Sequence, residues 1–554
     1  AALMKELEGL RRQGVWDESG VREWRAVAEE ARRNNVKIHV GRIFGIVVEK
    51  NTQFKIGDPL RKYKGRIVFQ GNEVRDERHD YAFFDDVASA PAALEASKSC
   101  DAYGLLFGNH VQQSDALQAY TQTDLGGEVV TWVRLPREFW PKSWEHRNLT
   151  DPVVPLVKAL YGHPRAGQCW EKHAEKHLFA VGFRNLGGWR STYFHDQLKL
   201  MLTVYVDDFK LAGPADKLAQ GWDLIRKSFN GDGGIETDEP ATVSKYLGAE
   251  HVVYDGKSPV TGKPVKMMEY DMSGFMQQCI DAYIDCVGEV GLTSDFLKRI
   301  KAAPTPFLDI DDTSDQVDGG ALAPIAAKVL MKILYAARVM RYDLLRPVAY
   351  LASRITKWSP RCDRQLHRLI CYIAFTKNHR LRGYIGDPAE KLGLSLFSDA
   401  DFAGCKITKR STSGIFLALT GPNSFFPLNA ISKKQTCVSH STPEAELVAA
   451  AAALRMEGMP ALNLWEGIFQ RPVGLTLYED NQAAITVMVT GKNPNMQHMG
   501  RTHCVSHCWL HEVVTGETDD IKVSYCDTKE MAADLMTKQF VDADKWRHAI
   551  KLVG

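Results

Sequence analysis

LKLMLTVYVDDFKLAGP, residues 198–214, ends a run of apolar and β-branched residues with two adjacent acids. The run reads as a strand, and FKLAGP can return beside it. Asp207 and Asp208 then sit at the tip of a hairpin. Like charges this close repel unless something positive lies between them. A divalent cation meets that need, since Mg²⁺ takes one or two protein carboxylates together with phosphate oxygens and water. Another acid stands upstream in QQSDALQAY, where Asp115 ends a short strand and Tyr120 follows in the next turn. Acids so placed can hold two metals for an in-line displacement at phosphorus. An isolated acid pair is also what an ordinary surface turn carries. Asp115 and Tyr120, in that order, lift the reading above it.

The bulk of the chain fits such a role without announcing it. At 554 residues it is too long for one hydrophobic core. Hydrophobic residues make up 45% and charged residues 25%, an ordinary globular composition. The net charge of +1 is not that of a strongly basic nucleic-acid binder, so such a partner must be held by local patches. One candidate carries Lys55, Arg61, Lys62, Lys64, Arg66 and Arg75. The other runs from Arg338 through Arg354, Lys357, Arg361, Arg364 and Arg368 to Arg380 and Arg382. On charge alone each is equally a solvated face. The 11 cysteines have no framework spacing, which fits a reducing compartment. THCVSHCWLH groups Cys504 and Cys508 with His503, His507 and His511, a weak zinc pattern with no second ligand pair. No stretch approaches the roughly 20 apolar residues of a membrane span, and no signal peptide opens the chain. The opening AALMKELEGL reads as a helix without an initiator Met, as expected of a segment of something longer.

Three regions are expected. Residues 1–255 mix strands and helices. Residues 256–388 read as mainly helical, and GYIGDPAEKLG as a linker. Residues 389–554 restart as three strands, a helix, and then alternating strands and helices, an α/β domain of about 160 residues. That last region carries its own acids: Asp399 in LFSDAD, Glu446 in STPEAELVAAAAAL, Asp480 in LTLYEDN and Asp534 in EMAADLMTK. Each lies at a strand end or on a helix near the sheet, so folding can gather them into one metal cage. Thr442 suits the N-cap of the Glu446 helix and Pro443 its first position.

These motifs resemble the reverse transcriptase and RNase H region of copia-type LTR retrotransposon Pol polyproteins. The likeness spans almost the whole chain, through ALMKELEGLRRQGVWD, YKGRIVFQGN, QQSDALQAYTQ, LVKALYGHPRAGQCW, YVDD, KYLGAEH, SDADFAG, STPEAE, EDNQAA and ADLMTK. It implies a mixed α/β, multidomain fold: a right-hand polymerase with fingers, palm and thumb-connection, then an RNase H-like α/β domain. It implies an RNA-directed DNA polymerase with ribonuclease H activity. Two Mg²⁺ per active site are implied, with Mn²⁺ able to substitute. Asp115 and Asp207 would hold both metals and Asp208 would assist. Tyr120 would be the steric gate under the sugar. Lys64 and Arg66 would meet the triphosphate, a polyanion suited to basic partners. Tyr205 and Val206 would line the same substrate site. Asp399, Glu446, Asp480 and Asp534 would hold the nuclease metals. The loop GHPRAGQC departs from the Lys-Gln-Ala-Pro-Arg core of many relatives, which leaves Arg165 and Gln168 less defined. No His precedes Asp534 where some RNases H carry one. Partners implied are an RNA template, a DNA primer and product, the RNA–DNA hybrid, deoxynucleoside triphosphates, and the element's capsid-like protein and integrase, with no membrane. The setting implied is cytoplasmic, in virus-like particles, with nuclear entry allowed. A retrotransposon-derived binding or scaffold protein that has lost catalysis is the alternative.

Overall fold

In the computed structural model three sheets carry the chain. It describes all residues except 51–56, 85–88, 145, 228–232, 292–299, 309–318, 406, 494–495, 497 and 517–519. The expected mixed α/β, multidomain class holds. The first sheet centres on the long strand Ile38–Lys50, which pairs with Val130–Arg134 over its first half and Lys62–Phe69 over its second. Helix Ala2–Arg12 lies against Lys62–Phe69. It comes so close that a Cβ at Gly65 would sit 2.7 Å from the Ala2 carbonyl oxygen.

The second sheet runs Ala241–Thr242, Asn109–Asp115, Asp208–Pro214, Leu200–Tyr205, Trp189–His195, Phe183–Leu186. The opening hairpin is therefore real, with Asn109–Asp115 beside its return strand. Leu200 through Val204 are all buried, because helices cover both faces. That is why the strand reads as a continuous apolar run rather than an alternating one. Lys210, on the return strand, is fully buried and pairs with Asp101 of helix Leu94–Gly104 at 2.8 Å.

The third sheet has nine strands and differs from expectation. Its order is Lys245–Tyr246, Ala249–Lys257, Pro264–Asp271, Leu381–Ile385, Ser424–Lys434, Thr412–Gly421, Gly393–Asp401, Leu475–Glu479, Ile521–Tyr525. Residues 256–388 are thus not simply helical. They add helices Ser273–Glu289, Ala323–Val339, Leu345–Ala352 and Pro360–Thr376, but also strands that extend this sheet. The linker reading of GYIGDPAEKLG fails at its start, since its first three residues belong to the strand Leu381–Ile385. Tyr384 pairs with Phe425 across the joint, and the Ser424 hydroxyl accepts from Gly386 N and Asp387 N at 3.0 Å each. Gly383 is needed there, because a Cβ would meet the Phe426 ring at 2.4 Å. Long-range pairing of this kind leaves no local sequence signal. The last five strands have the order 3-2-1-4-5, with the fourth parallel to the first and the fifth parallel to the fourth.

Helix Thr442–Ala453 packs on Gly393–Asp401. Its N-cap is Ser441, whose hydroxyl accepts from Glu444 N, one residue earlier than Thr442. A Pro is tolerated at any first-turn position because no N–H is needed there. Among the described residues no helix is long and apolar enough to cross a membrane.

Candidate active sites

The hairpin turn consists of Val206 and Asp207, flanked by the pair Tyr205 and Asp208. Val206 has φ +61°, an unfavourable conformation for a β-branched residue. Such strain persists only where surroundings enforce it. Here Trp170, on helix Ala166–Ala180, donates its indole N–H to the Val206 carbonyl at 2.7 Å. Ala116 N donates to the Asp207 carbonyl at 2.7 Å. The turn is therefore held from both sides.

Asp208 lies in register with Asp115 on the neighbouring strand. In-register residues share a face of the sheet. Asp208, when protonated, donates to Asp115. Burial pushes Asp208 up to about 7, and the charges of Asp207 and Asp115 add to that. Asp115 is also raised, by burial and then by Asp207 and Asp238. The three acids thus feel one another, as a cation-binding group should.

Residues from the first sheet face this cluster. Lys64 is shifted down by burial and by Lys50 and Arg66, with Asp207 opposing. The Arg66 guanidinium stands 5.5 Å over the Tyr161 ring. Tyr161 meets Tyr120 edge-to-face at 4.7 Å. Burial raises both hydroxyls, Tyr161 to about 12, and Asp207 adds to each. Asp115, Asp207, Asp208, Tyr120, Lys64 and Arg66 therefore converge. Tyr161 belongs with them and was not singled out from YGHPRAG; its place before a loop gave no chemical cue. Arg165 instead donates to the Gly126 carbonyl at 3.1 Å, and Gln168 is buried.

The second cluster is deeper. Asp399, Glu446 and Asp480 each bring a carboxylate oxygen within 4.8 Å of the others, the one such group found among the described residues. Asp399 and Glu446 are 2% and 3% exposed. Glu446 Oε2 is buried with no hydrogen-bond partner. A buried oxygen so placed is costly unless a cation completes it. Hard oxygen donors suit Mg²⁺ or Mn²⁺, so these residues fit such ions. Burial drives the Glu446 carboxyl far above its ordinary range, followed by the charges of Glu479, Asp399 and Asp480. Burial also raises Asp399, and it pushes Asp534 up to about 7, with Asp399 adding.

Around them, Thr537 donates its hydroxyl to Asp399 and Thr528 donates to Asp480 at 2.8 Å. Asp534 lies on the turn Asp534–Thr537, where Lys538 reaches it at 2.6 Å. Glu479 and Lys538 were missed. Glu479 is fully buried, accepts from Ser398 at 3.1 Å and is pushed up to about 8 by burial. It ends the strand Leu475–Glu479 one residue before Asp480, and after burial its charge is the first to act on Glu446, yet nothing in the local sequence marks it as buried.

The zinc pattern does not assemble. His503 and His498 bond Glu444 at 2.9 and 3.2 Å, His511 faces the Met488 carbonyl, and Cys504 and Cys508 are exposed. Among the described residues no cysteine forms a disulfide. The second basic patch is largely spent internally. Arg361 is buried, Arg368 donates to the Thr305 carbonyl, and Arg380 and Arg382 pair with Glu269. In the first patch Arg61 pairs with Glu49, while Lys55 lies outside the described residues.

Residues 48–257 match the family described as reverse transcriptase (RNA-dependent DNA polymerase). The chain is 24% identical over 513 residues to the Retrovirus-related Pol polyprotein from transposon TNT 1-94 of Nicotiana tabacum, covering 90% of this chain and 35% of that protein. It is 24% identical over 486 residues to the corresponding polyprotein from transposon RE1 of Arabidopsis thaliana, covering 86% and 29%. The chain thus spans about a third of the length of these curated relatives. Among solved structures, Prototype Foamy Virus Protease-Reverse Transcriptase aligns with a TM-score of 0.20 and 11% identity, over 93% of this chain and 53% of that one.

Proposed function

We propose that this chain, which belongs to the retrovirus-related Pol polyproteins of copia-type transposons, copies RNA into DNA at the hairpin centre and cleaves the RNA of the hybrid at the buried centre. The observation that carries the polymerase reading is the in-register pair Asp115 and Asp208 beside Asp207 on a strained, pinned turn. For the nuclease reading it is the Asp399, Glu446 and Asp480 triad with its unpartnered oxygen. In this reading 1–255, 256–388 and 389–554 are the fingers and palm, the thumb-connection, and the nuclease region, with strands of all three in the nine-stranded sheet.

Asp115 and Asp207 hold the cations of the first centre, with Asp208 assisting. Asp399, Glu446, Asp480 and Asp534 hold those of the second. When bound, a pair of divalent cations, Mg²⁺ or Mn²⁺, polarises the attacking oxygen and steadies the leaving one. Lys64 and Arg66 bind the triphosphate and orient it toward Asp207. Tyr120 stacks under the sugar and excludes a 2′-hydroxyl, with Tyr161 bracing its ring. Tyr205 and Val206 line the primer side. The substrates are an RNA template, a DNA primer, deoxynucleoside triphosphates and the resulting hybrid, in a particle with the element's other proteins.

The test is Mg²⁺-dependent primer extension on an RNA template by the chain and by Asp207→Asn. Extension that the variant loses supports the polymerase reading. No extension and no hybrid cleavage by the parent chain would leave the scaffold reading standing.

A further inference from the structure

Lys538 places a fixed positive charge inside the second acid cluster. Its ammonium lies 2.6 Å from Asp534 Oδ1, 2.7 Å from Oδ2 and 3.9 Å from Asp399 Oδ1. It therefore straddles one carboxylate and reaches toward a second. The other three acids form their own group, with Asp399 common to both halves. The cluster is divided: Asp399, Glu446 and Asp480 on one side, Asp399 and Asp534 with the lysine on the other.

Two features let this lysine leave. Its side chain is 37% exposed, although its partners are buried. It also begins an extended segment just past the short turn Asp534–Thr537, so its four-carbon stem is not packed into a helix. By contrast, Arg346 nearby is locked, donating to the Thr537 carbonyl at 2.7 Å and to Asp401 at 2.9 Å. The buried arginine supports the backbone of the turn, while the lysine faces the acids.

We propose that Lys538 is a resident counter-cation of the nuclease centre, holding Asp534 and Asp399 until a second divalent ion displaces it, so that the two ions bind in a set order. The first is taken by Asp399, Glu446 and Asp480. The second competes with the ammonium for Asp399 and Asp534. This rests on the nuclease reading above. An ammonium that straddles both oxygens of Asp534 competes with a divalent ion for them, through like-charge repulsion and shared lone pairs. Once displaced, the ammonium would be free to pair with an anionic phosphodiester instead.

Lys538 is a positioning residue in this scheme, so the readout is metal binding rather than rate. Mn²⁺ would be titrated calorimetrically and by electron paramagnetic resonance into the full chain carrying Asp115→Asn, Asp207→Asn and Asp208→Asn. Those changes silence the polymerase centre. One tight ion is expected, then a second at least about tenfold weaker, the size of an opposite charge acting on a carboxylate. K538M and K538Q should bring the second ion close to the first, with the coupled two-manganese signal appearing at lower Mn²⁺. K538R should resemble the parent. If both neutral variants bind the two ions as the parent does, or lose the second ion, the proposal is overturned. Glu446→Gln separates the two failures. If it removes the tight ion while Lys538 variants change nothing, only the lysine proposal falls; if it changes nothing, the nuclease reading falls too.

Discussion

Asp115, Asp207 and Asp208 are partly solvated at the hairpin, whereas Asp399, Glu446 and Asp534 lie buried under a helix and a short turn. The first cluster borrows its cations from another sheet, Lys64 and Arg66, which stand off from the acids. The second carries Lys538 in direct contact. Exposure explains the contrast. A partly solvated acid group tolerates mutual repulsion, because water screens it. A group with three buried acids cannot, and either protonates or takes in a positive charge. The structure does both in the second cluster, with burial shifting Glu446 strongly upward and Lys538 drawn in.

The sharpest way to break this comparison is to disable each centre separately. Glu446→Gln should abolish hybrid cleavage, by on the order of a thousandfold, and leave primer extension intact. Asp207→Asn should do the reverse. If either variant loses both activities in parallel assays, the clusters do not act as independent centres.

The next largest effect concerns how the hairpin is supported. Lys210→Met leaves Asp101 buried without its 2.8 Å partner. That should cost about 3–5 kcal/mol in urea unfolding. Asp101→Asn with Lys210→Met should recover part of it. A cost below about 1 kcal/mol would mean that the ion pair does not anchor the return strand.

The pH dependence sharpens the comparison from another side. Asp208 titrates near 7 in the fold, above its ordinary 3.8. The folded chain therefore holds a proton between about pH 4 and 7 that the unfolded chain has lost. Without metal, this group's contribution to stability is fullest below pH 4 and is lost as pH rises through 7. Divalent ions reverse the trend, because they need the carboxylate. The rise in melting temperature on adding Mg²⁺ should thus grow from pH 6 to pH 8. Asp208→Asn should flatten that growth, and an unchanged slope would detach Asp208 from the metal group.

The smallest effect is local. Trp170→Phe removes the 2.7 Å bond to the Val206 carbonyl and keeps the ring. A lost hydrogen bond is worth about 1 kcal/mol, so extension should fall roughly fivefold while cleavage is unchanged. Equal loss in both would show that Trp170 serves general stability.

Much of this was legible in the residues, because strands and turns leave local patterns. YVDD, Asp115 and Tyr120 sit where an apolar run, a turn and a short strand put them. Of the four acids of the second cluster, Asp399 and Asp480 lie near strand ends, Asp534 opens a short turn and Glu446 rides on a helix whose cap the sequence marks. What escaped depends on distant neighbours. Tyr161 matters only because Lys62–Phe69 and the hairpin bring Arg66 and Asp207 to it. Glu479 reads as one more exposed acid until the sheet closes over it. The end of strand Leu381–Ile385 reads as the start of a linker because its partners, Pro264–Asp271 and Ser424–Lys434, lie far away in the chain.

That strand has a mechanical consequence. Because Leu381–Ile385 is stitched between Pro264–Asp271 and Ser424–Lys434, the regions that carry the two acid clusters share one girder instead of swinging on a tether. A protease nick in the exposed stretch at 386–391 should leave two fragments that co-purify until denatured, and the path a duplex takes from one centre to the other would be set by the architecture.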